Sequence, residues 1–439
     1  MTAQARAATE ETAGLLSLEE AQARMLAGLD PLPAEDVPLV EALGRVLAAP
    51  VASRLTLPPW DNSAMDGFAL RAADVAGASH DEPVRLRVIG ESAAGHPARV
   101  EVQPGTAVRI LTGAPLPAAA DAVVPVEETD GDDAGPAADE VLVYRQPVPG
   151  AHIRRAGSDL RAGYPLIAPG ALLDSSALAA SAAGGHAQVS VHRRPRLAVL
   201  ATGDELVPAG AQPGEAQIPD SNSVGLLAQA VEAGAAIEAL GIATDRLEDV
   251  LGRLRAALAT VDVVVVSGGV SVGRHDVVKE AFEGLGRLEL WRVAVQPGKP
   301  LAFGRAASGV GGDGDGGREV LLFGLPGNPV SSFVTFELFV RPVLRRLAGH
   351  VDLAGRLVVR ARLTEPVTKA AGRRAFLRVR LERTDDDEQW LARLAGGQGS
   401  HVLSALAAAD GLAIVPEDRQ TLEEGASVEV IVLRQLGER

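Results

Sequence analysis

The chain has 439 residues, a formal net charge of −15, and 47% hydrophobic but only 3% aromatic residues, so its cores must be built from Ala, Val and Leu. With 0 Cys, it excludes disulfides, zinc–thiolate sites, protein-ligated iron–sulfur clusters and a cysteine nucleophile. Its acidity argues against non-specific nucleic-acid binding, and no apolar run approaches the ~18 residues of a membrane-spanning helix.

The length predicts about two to four domains of ~100–200 residues. The first 14 residues are polar and lack the apolar core of a signal peptide, and the reading is cytoplasmic. Ser17-Leu-Glu-Glu20 reads as a capping box opening a helix to about Leu29, and Asp30-Pro31 stops it. A short apolar stretch spans 38–51, and 56–67 is loop-like. Residues 68–146 read as all-β, with period-two strands at 84–88 and 100–102 and an acidic hairpin tip at 130–139. Short elements fill 150–190 and are expected to rejoin 15–55, which makes the β segment an insertion. From Pro195 the pattern alternates: strand 197–200, helix 222–233, strand 236–242, helix 245–259, strand 261–266, helix 275–284. Further strands contain Phe303 and 321–323, a glycine-rich loop covers 309–317, and a long helix spans 329–347. This predicts a parallel sheet wrapped on both faces. Period-two alternation returns after His350 and predicts a small C-terminal β-domain.

In open parallel sheets, ligands bind beyond the carboxyl ends of the strands. Three loops are expected there: Thr202-Gly203-Asp204-Glu205, Ser267-Gly268-Gly269-Val-Ser271-Val-Gly273, and the Pro326-Gly327-Asn328 turn before the long helix. Their glycines let backbone N–H groups approach an anion. Asp204, Glu205 and Asp276 lie on the same edge. Carboxylates around an anion site point to a divalent cation, and Mg²⁺ typically bridges one or two carboxylates to phosphate. Asp245 begins a helix, where an N-cap role is the plain alternative. Gly269-Val-Ser271-Val-Gly273 also fits a serine-hydrolase elbow, but His275 and Asp276 are too close to follow the usual chain order, and of the possible histidines His350 and His401 the latter lies in another domain, leaving Ser271 a minor alternative. Gln296-Pro-Gly298-Lys299-Pro300 is not a phosphate loop, because proline stands where Ser or Thr would hold magnesium. It still presents an ammonium group stiffly. Lys279, Lys299 and Lys369 are the only lysines.

The segments PPWDNSAMDGFA, RILTGAPLP, ATGDEL, SGGVSVGRHD, QPGKPLAFG and GLPGNPVSS occur in this order in one chain. Together with the late Gln398-Gly-Ser400-His401 they resemble the molybdopterin molybdenumtransferases, the MoeA family, also represented in one half of gephyrin. The GDEL, SGGVS and LPGNP part alone is shared with molybdopterin adenylyltransferases. The resemblance implies an elongated N-terminal domain in two segments (15–55 and 150–194), an inserted β-domain (56–149), a molybdopterin-binding, doubly wound α/β domain (195–348) and a C-terminal β-barrel (352–436). It implies a homodimer with the active site between subunits. Molybdopterin adenylyltransferase and molybdoenzyme chaperones are candidate partners. The implied reaction uses adenylylated molybdopterin and molybdate, with Mg²⁺, and releases AMP. A molybdopterin-binding scaffold and a tungstate-using paralogue are the alternatives.

Carried over by motif, the acidic functional positions are Asp61, Asp159, Glu205, Asp245 and Asp276, with Thr112 beside them. Glu205 and Asp276 are assigned to the pterin or Mg²⁺, and Asp61 and Thr112 to closure of the cleft from the partner subunit. Lys299, Arg373 and Ser400 match the molybdate site, where an ammonium, a guanidinium and a hydroxyl are fitting donors for a tetrahedral dianion. The first lysine of the family's KPGKP is here Gln296. That predicts weaker molybdate binding, or compensation by Arg292 or Arg374, and it leaves the choice between Arg373 and Arg374 open.

Overall fold

The computed structural model describes residues 14–131, 139–269, 277–308, 318–383 and 389–434, without the side chains of Leu290 and Trp291. Ser17 caps the Leu18–Leu26 helix. Its hydroxyl accepts from the Glu20 N–H, and the Glu20 carboxylate answers at the Ser17 N–H. This helix ends at Leu26 rather than Leu29. Leu18, Ala21 and Met25 share one face, and all are buried against the long helix of the α/β domain.

Residues 34–52 and 153–192 pair with each other. Ala34–Pro38 runs antiparallel to Gln188–His192, and Val51–Ala52 to Pro165–Ile167. Between them lies a five-stranded sheet in the order Ala122–Pro125, Gly67–Leu70, Thr106–Ile110, Val84–Ser92, Glu140–Val143. Phe68, Leu70, Leu86, Val124 and Val141 fill its core. Residues 100–102 form no strand. Only Glu101 bridges, to Ala118, because Pro104-Gly105 turns the chain at once. The acidic tip and the 309–317 loop lie largely outside the described residues.

The α/β domain carries a six-stranded sheet in the order Ala236–Ala243, Arg196–Thr202, Val263–Ser267, Glu319–Leu325, Pro300–Ala307, Gly286–Arg292. The first four strands are parallel, and the last two pairings are antiparallel. The sheet is therefore mixed, not wholly parallel. Among the described residues no helix lies between these last three strands in sequence, and neighbours joined without a crossover pair antiparallel. Alternating side chains of the central strands face opposite ways. Val263 and Val265 join the core under Asn222–Glu232 and the long helix, while Val264 and Val266 join the core under Leu247–Leu258 and Val277–Glu283. At the amino end of the sheet, buried Asp262 accepts from Arg193, Arg318 and the Arg196 N–H.

The long helix is not a plain α-helix. A π turn at Phe336–Val340 separates Pro329–Thr335 from Arg341–Leu347. Pro342 has no N–H to offer Leu338 O four residues back. The Gln22 side chain donates to that carbonyl at 2.7 Å and ties the Leu18–Leu26 helix to the long one.

In the C-terminal region, Arg374–Arg383, Trp390–Leu394, Val358–Leu363, Ser427–Val432 and Gly411–Val415 pair in sequence around a ring, and the last pairs back to the first. The result is a closed five-stranded barrel. Val295–Gln296 adds in parallel to its rim at Arg374–Ala375. Among the described residues no helix is long and apolar enough to cross a membrane.

Gln22→Leu should lower the unfolding free energy by about 1–2 kcal/mol, because it removes the donor to Leu338 O. Denaturant melts of the two proteins measure this, and equal midpoints would show that the bond contributes nothing.

Candidate functional site

A cleft of about 900 Å³ opens at the carboxyl edge of the sheet. It lies where the chain order reverses. The Arg196–Thr202 strand is followed by Ala236–Ala243 on one side and by Val263–Ser267 on the other, so their outgoing loops diverge. Thr202, Gly203, Glu205, Asp245, Ser267, Gly268, Gly269, Gly327 and Asn328 line the cleft, as the sequence predicts for that edge. Pro326 is not among the lining residues, and neither is Asp204, whose carboxylate accepts from the Asp245 N–H at 3.2 Å. Asp276 and Ser271 lie outside the described residues.

Local backbone shape makes room for a ligand. Gly268 has φ +99°, and a Cβ there would sit 2.5 Å from Thr202 O. Any side chain would push the two loops apart. Thr202 Oγ1 is buried on this wall without a hydrogen-bond partner. Asn222, which sequence reasoning missed, donates from Nδ2 to Ser267 Oγ and to Gly327 O, both at 2.8 Å, and so fastens two of the loops together. The only signal for it was a polar run, Pro219-Asp220-Ser221-Asn222, just before an apolar helix.

Asp245 is not an N-cap. The helix begins at Leu247, and Asp249 accepts from the Thr244 N–H instead. Burial, and then the neighbouring carboxylates of Asp204 and Glu205, push the Asp245 carboxyl above its ordinary value. Clustered carboxylates beside an unpartnered hydroxyl are hard oxygen donors and fit Mg²⁺. Among the described residues no three such groups alone form a metal cage. Phosphate oxygens would have to complete the shell, as is usual for Mg²⁺.

The C-terminal barrel reaches the same cleft. His401 lines it, and Ser400 O accepts from the Val330 N–H at 3.0 Å, at the start of the long helix. Arg378, fully buried, holds this loop. It donates to Gly397 O and Gly399 O at 3.0 Å each, and burial lowers its guanidinium to about 10. Gln398 reinforces it through the Arg378 backbone. Lys299 belongs to the turn in which Gly298, at φ +112°, packs against Thr335, where a Cβ would meet Cγ2 at 2.4 Å. Gln296 Oε1 accepts from the Ala370 N–H at 3.2 Å. Arg374 is engaged by Glu19 at 2.6 Å and Glu417 at 2.8 Å. Its charge is therefore already matched within the chain.

Asp61, Thr112 and Asp159 do not line the cleft of this chain. Asp61 accepts from the Ala156 N–H at 2.8 Å and from Arg155 at 2.6 Å, and these hold its carboxyl below the usual range. Thr112 donates to Asp66 at 2.7 Å. The Asp159 N–H donates to Leu57 O at 3.1 Å. Trp60 and Met65 beside them are exposed.

Family models match the chain in three places: the MoeA N-terminal region (domains I and II) over 16–185, a probable molybdopterin-binding domain over 198–346, and the MoeA C-terminal region (domain IV) over 360–433. Molybdopterin molybdenumtransferase 2 of Mycobacterium tuberculosis is 40% identical over 402 residues, covering 90% of this chain and 94% of the relative. The chain belongs to the MoeA family. Molybdopterin molybdenumtransferase 1 of the same organism is 37% identical and covers 96% of this chain and 100% of its own length. The crystal structure of the molybdopterin biosynthesis MoeA protein from Pyrococcus horikoshii superposes with a TM-score of 0.77 at 33% identity, over 96% of this chain and 100% of that one.

The raised Asp245 carboxyl has a consequence for stability in this MoeA-family chain. A carboxyl held above its unfolded value of 3.8 favours the fold fully only below that value, and the contribution is lost as pH rises through the folded value. Asp245→Asn should therefore melt slightly higher than the parent at about pH 7, and the difference should vanish at about pH 3. A lower midpoint at neutral pH would mean the carboxylates are not in repulsive contact.

Proposed function

We propose that the chain is a molybdopterin molybdenumtransferase, inserting molybdenum from molybdate into adenylylated molybdopterin with release of AMP. One observation carries the reading. The switch-point cleft of the molybdopterin-binding domain is walled on one side by the His401 loop of the barrel, in a chain that resembles named molybdenumtransferases over nearly its whole length.

The chain's own groups suit that task. The glycine edges at Gly203, Gly268 and Gly327 let the dinucleotide-like substrate approach the backbone, and Asn222 keeps the loops apart by a fixed distance. The Thr202 hydroxyl, without a partner among the described residues, is a donor for a phosphate oxygen. Glu205, with Asp276, would hold Mg²⁺. When bound, that ion supplies charge stabilisation at the phosphoanhydride. Lys299, Arg373 and Ser400 orient molybdate beside the pterin's sulfurs. The sulfurs then ligate the metal, which is why a chain without cysteine can carry out the insertion. Cytoplasmic placement follows the substrate.

The test is AMP release from adenylylated molybdopterin by the purified protein with Mg²⁺, with and without molybdate. Release should require molybdate and fall on the order of 10²-fold or more in Glu205→Gln. Tight nucleotide binding without release under either condition would leave a pterin-binding protein and sink the transferase reading.

Because Asp61 and Thr112 sit away from their own chain's cleft, we assign them to the cleft of a partner subunit in a homodimer. Asp61→Asn and Glu205→Gln should each be inactive. An equimolar mixture, allowed to exchange subunits, should recover about a quarter of the parent's activity, because half of the sites in each mixed dimer are intact. No recovery from demonstrated mixed dimers would return Asp61 to its own chain.

A further inference from the structure

A second cavity, about 110 Å³, lies between residues 44–46 and 192–194 of the first body and the ends of two α/β-domain helices. That volume is about four waters at ~30 Å³ each, room for one tetrahedral oxyanion. Four basic side chains line it: Arg45, His192, Arg194 and His350. Its other lining residues are glycine, alanine and valine, and none is acidic. In a chain of net charge −15, this is an unusual concentration of basic side chains.

These groups are not satisfied by the protein. Arg45 is 8% exposed. One guanidinium nitrogen is held by the Glu35 carboxylate and by His192 O at 2.7 Å, but Nε has no partner. His350 is 9% exposed, and its ring takes no hydrogen bond among the described residues. His192 Nδ1 lies 2.9 Å from Leu32 O and donates to it, so Nε2 of the neutral ring is an acceptor and the ring serves as a wall of the cavity. The Arg194 guanidinium is exposed and makes no ion pair among the described residues. Asn222–Glu232 and Arg341–Leu347 both end here. Their carbonyl ends favour cations and help retain the guanidinium groups when no anion is bound.

We propose that this cavity binds a small inorganic oxyanion of the phosphate and sulfate class, held between the Arg45 and Arg194 guanidinium groups and the His350 ring, with His192 lining the wall. Guanidinium forks are suited to tetrahedral oxyanions, and a neutral imidazole can add one N–H. The bound anion would bridge Arg45 and Arg194, from the segments before the α/β domain, to His350 at that domain's end. It would thereby stiffen the junction between them. Around His350 the other charged groups are Arg345, Arg341 and Asp352, while Glu35 sits behind Arg45. Burial first, then Arg345 and Arg341, hold the His350 ring down at about 4. An anion beside it would raise that value.

The experiment is a phosphate titration of the full chain at constant ionic strength, balanced with chloride, reading the His350 ring by NMR. The His350 signals should shift saturably and its titration should move to higher pH. Sulfate should reproduce the shift, and AMP, too large for the cavity, should not. Arg194→Ala, an exposed change that leaves the fold intact, should weaken phosphate about tenfold or more. Arg194→Lys should retain part of the response. A His350 ring that ignores phosphate, responds equally to chloride or AMP, or binds as tightly in Arg194→Ala would overturn the proposal.

Discussion

The parallel ladder between Arg196–Thr202 and Val263–Ser267 is the constraint on which the rest depends. Both strands are buried on both faces, so their registers are fixed by two cores at once. The ladder ends at Ala201 and Ser267, and beyond it the backbones part around Gly203 and Gly268. The opposite end is closed by Asp262, which takes two arginines and a backbone N–H. One end of the sheet is thus sealed by a satisfied buried charge, and the other is left open for chemistry.

The barrel contributes to that opening because three separate fastenings hold it in place. Val295–Gln296 extends its rim, Arg374 is gripped by Glu19 of the first helix, and Arg356 reaches back to Glu337 and Glu232. Arg378 then fixes the loop that carries Ser400 and His401. A fully buried guanidinium without a carboxylate is costly. Its use as a backbone anchor explains how a loop with three glycines can present a hydroxyl in a defined place.

Much of this was legible in the sequence, for physical reasons. The Val263–Val266 run could only be a strand buried on both faces, and the glycine-acid loops could only lie at its carboxyl edge. The capping box at Ser17 was readable because both of its partners lie within four residues. What escaped were contacts between distant positions. Asn222 acts on Ser267 and Gly327, Arg378 on a loop about twenty residues later, and Gln22 on Leu338. None leaves a local pattern. The antiparallel edge of the sheet was overlooked although its signal was present: the 309–317 connection reads as a loop, whereas parallel neighbours need a crossover, usually a helix. The cleft of one chain does not contain Asp61, Thr112 or Asp159, so their grouping with Glu205 rests on resemblance rather than on contacts within this chain.

The core beneath the long helix has one more implication. It is not owned by the α/β segment alone. Leu18, Ala21, Met25 and Leu29 come from the start of the chain, and Phe376, Leu406 and Leu412 from the barrel. An excised 195–348 fragment would therefore lack part of its own interior. It would present an apolar flank where the first helix and the barrel belong, and fragments of that kind self-associate. Family boundaries drawn along the sequence and the unit that folds cooperatively are different objects in this protein. Grafting its pterin-binding module elsewhere would require carrying residues from both ends of the chain, or redesigning the face they cover.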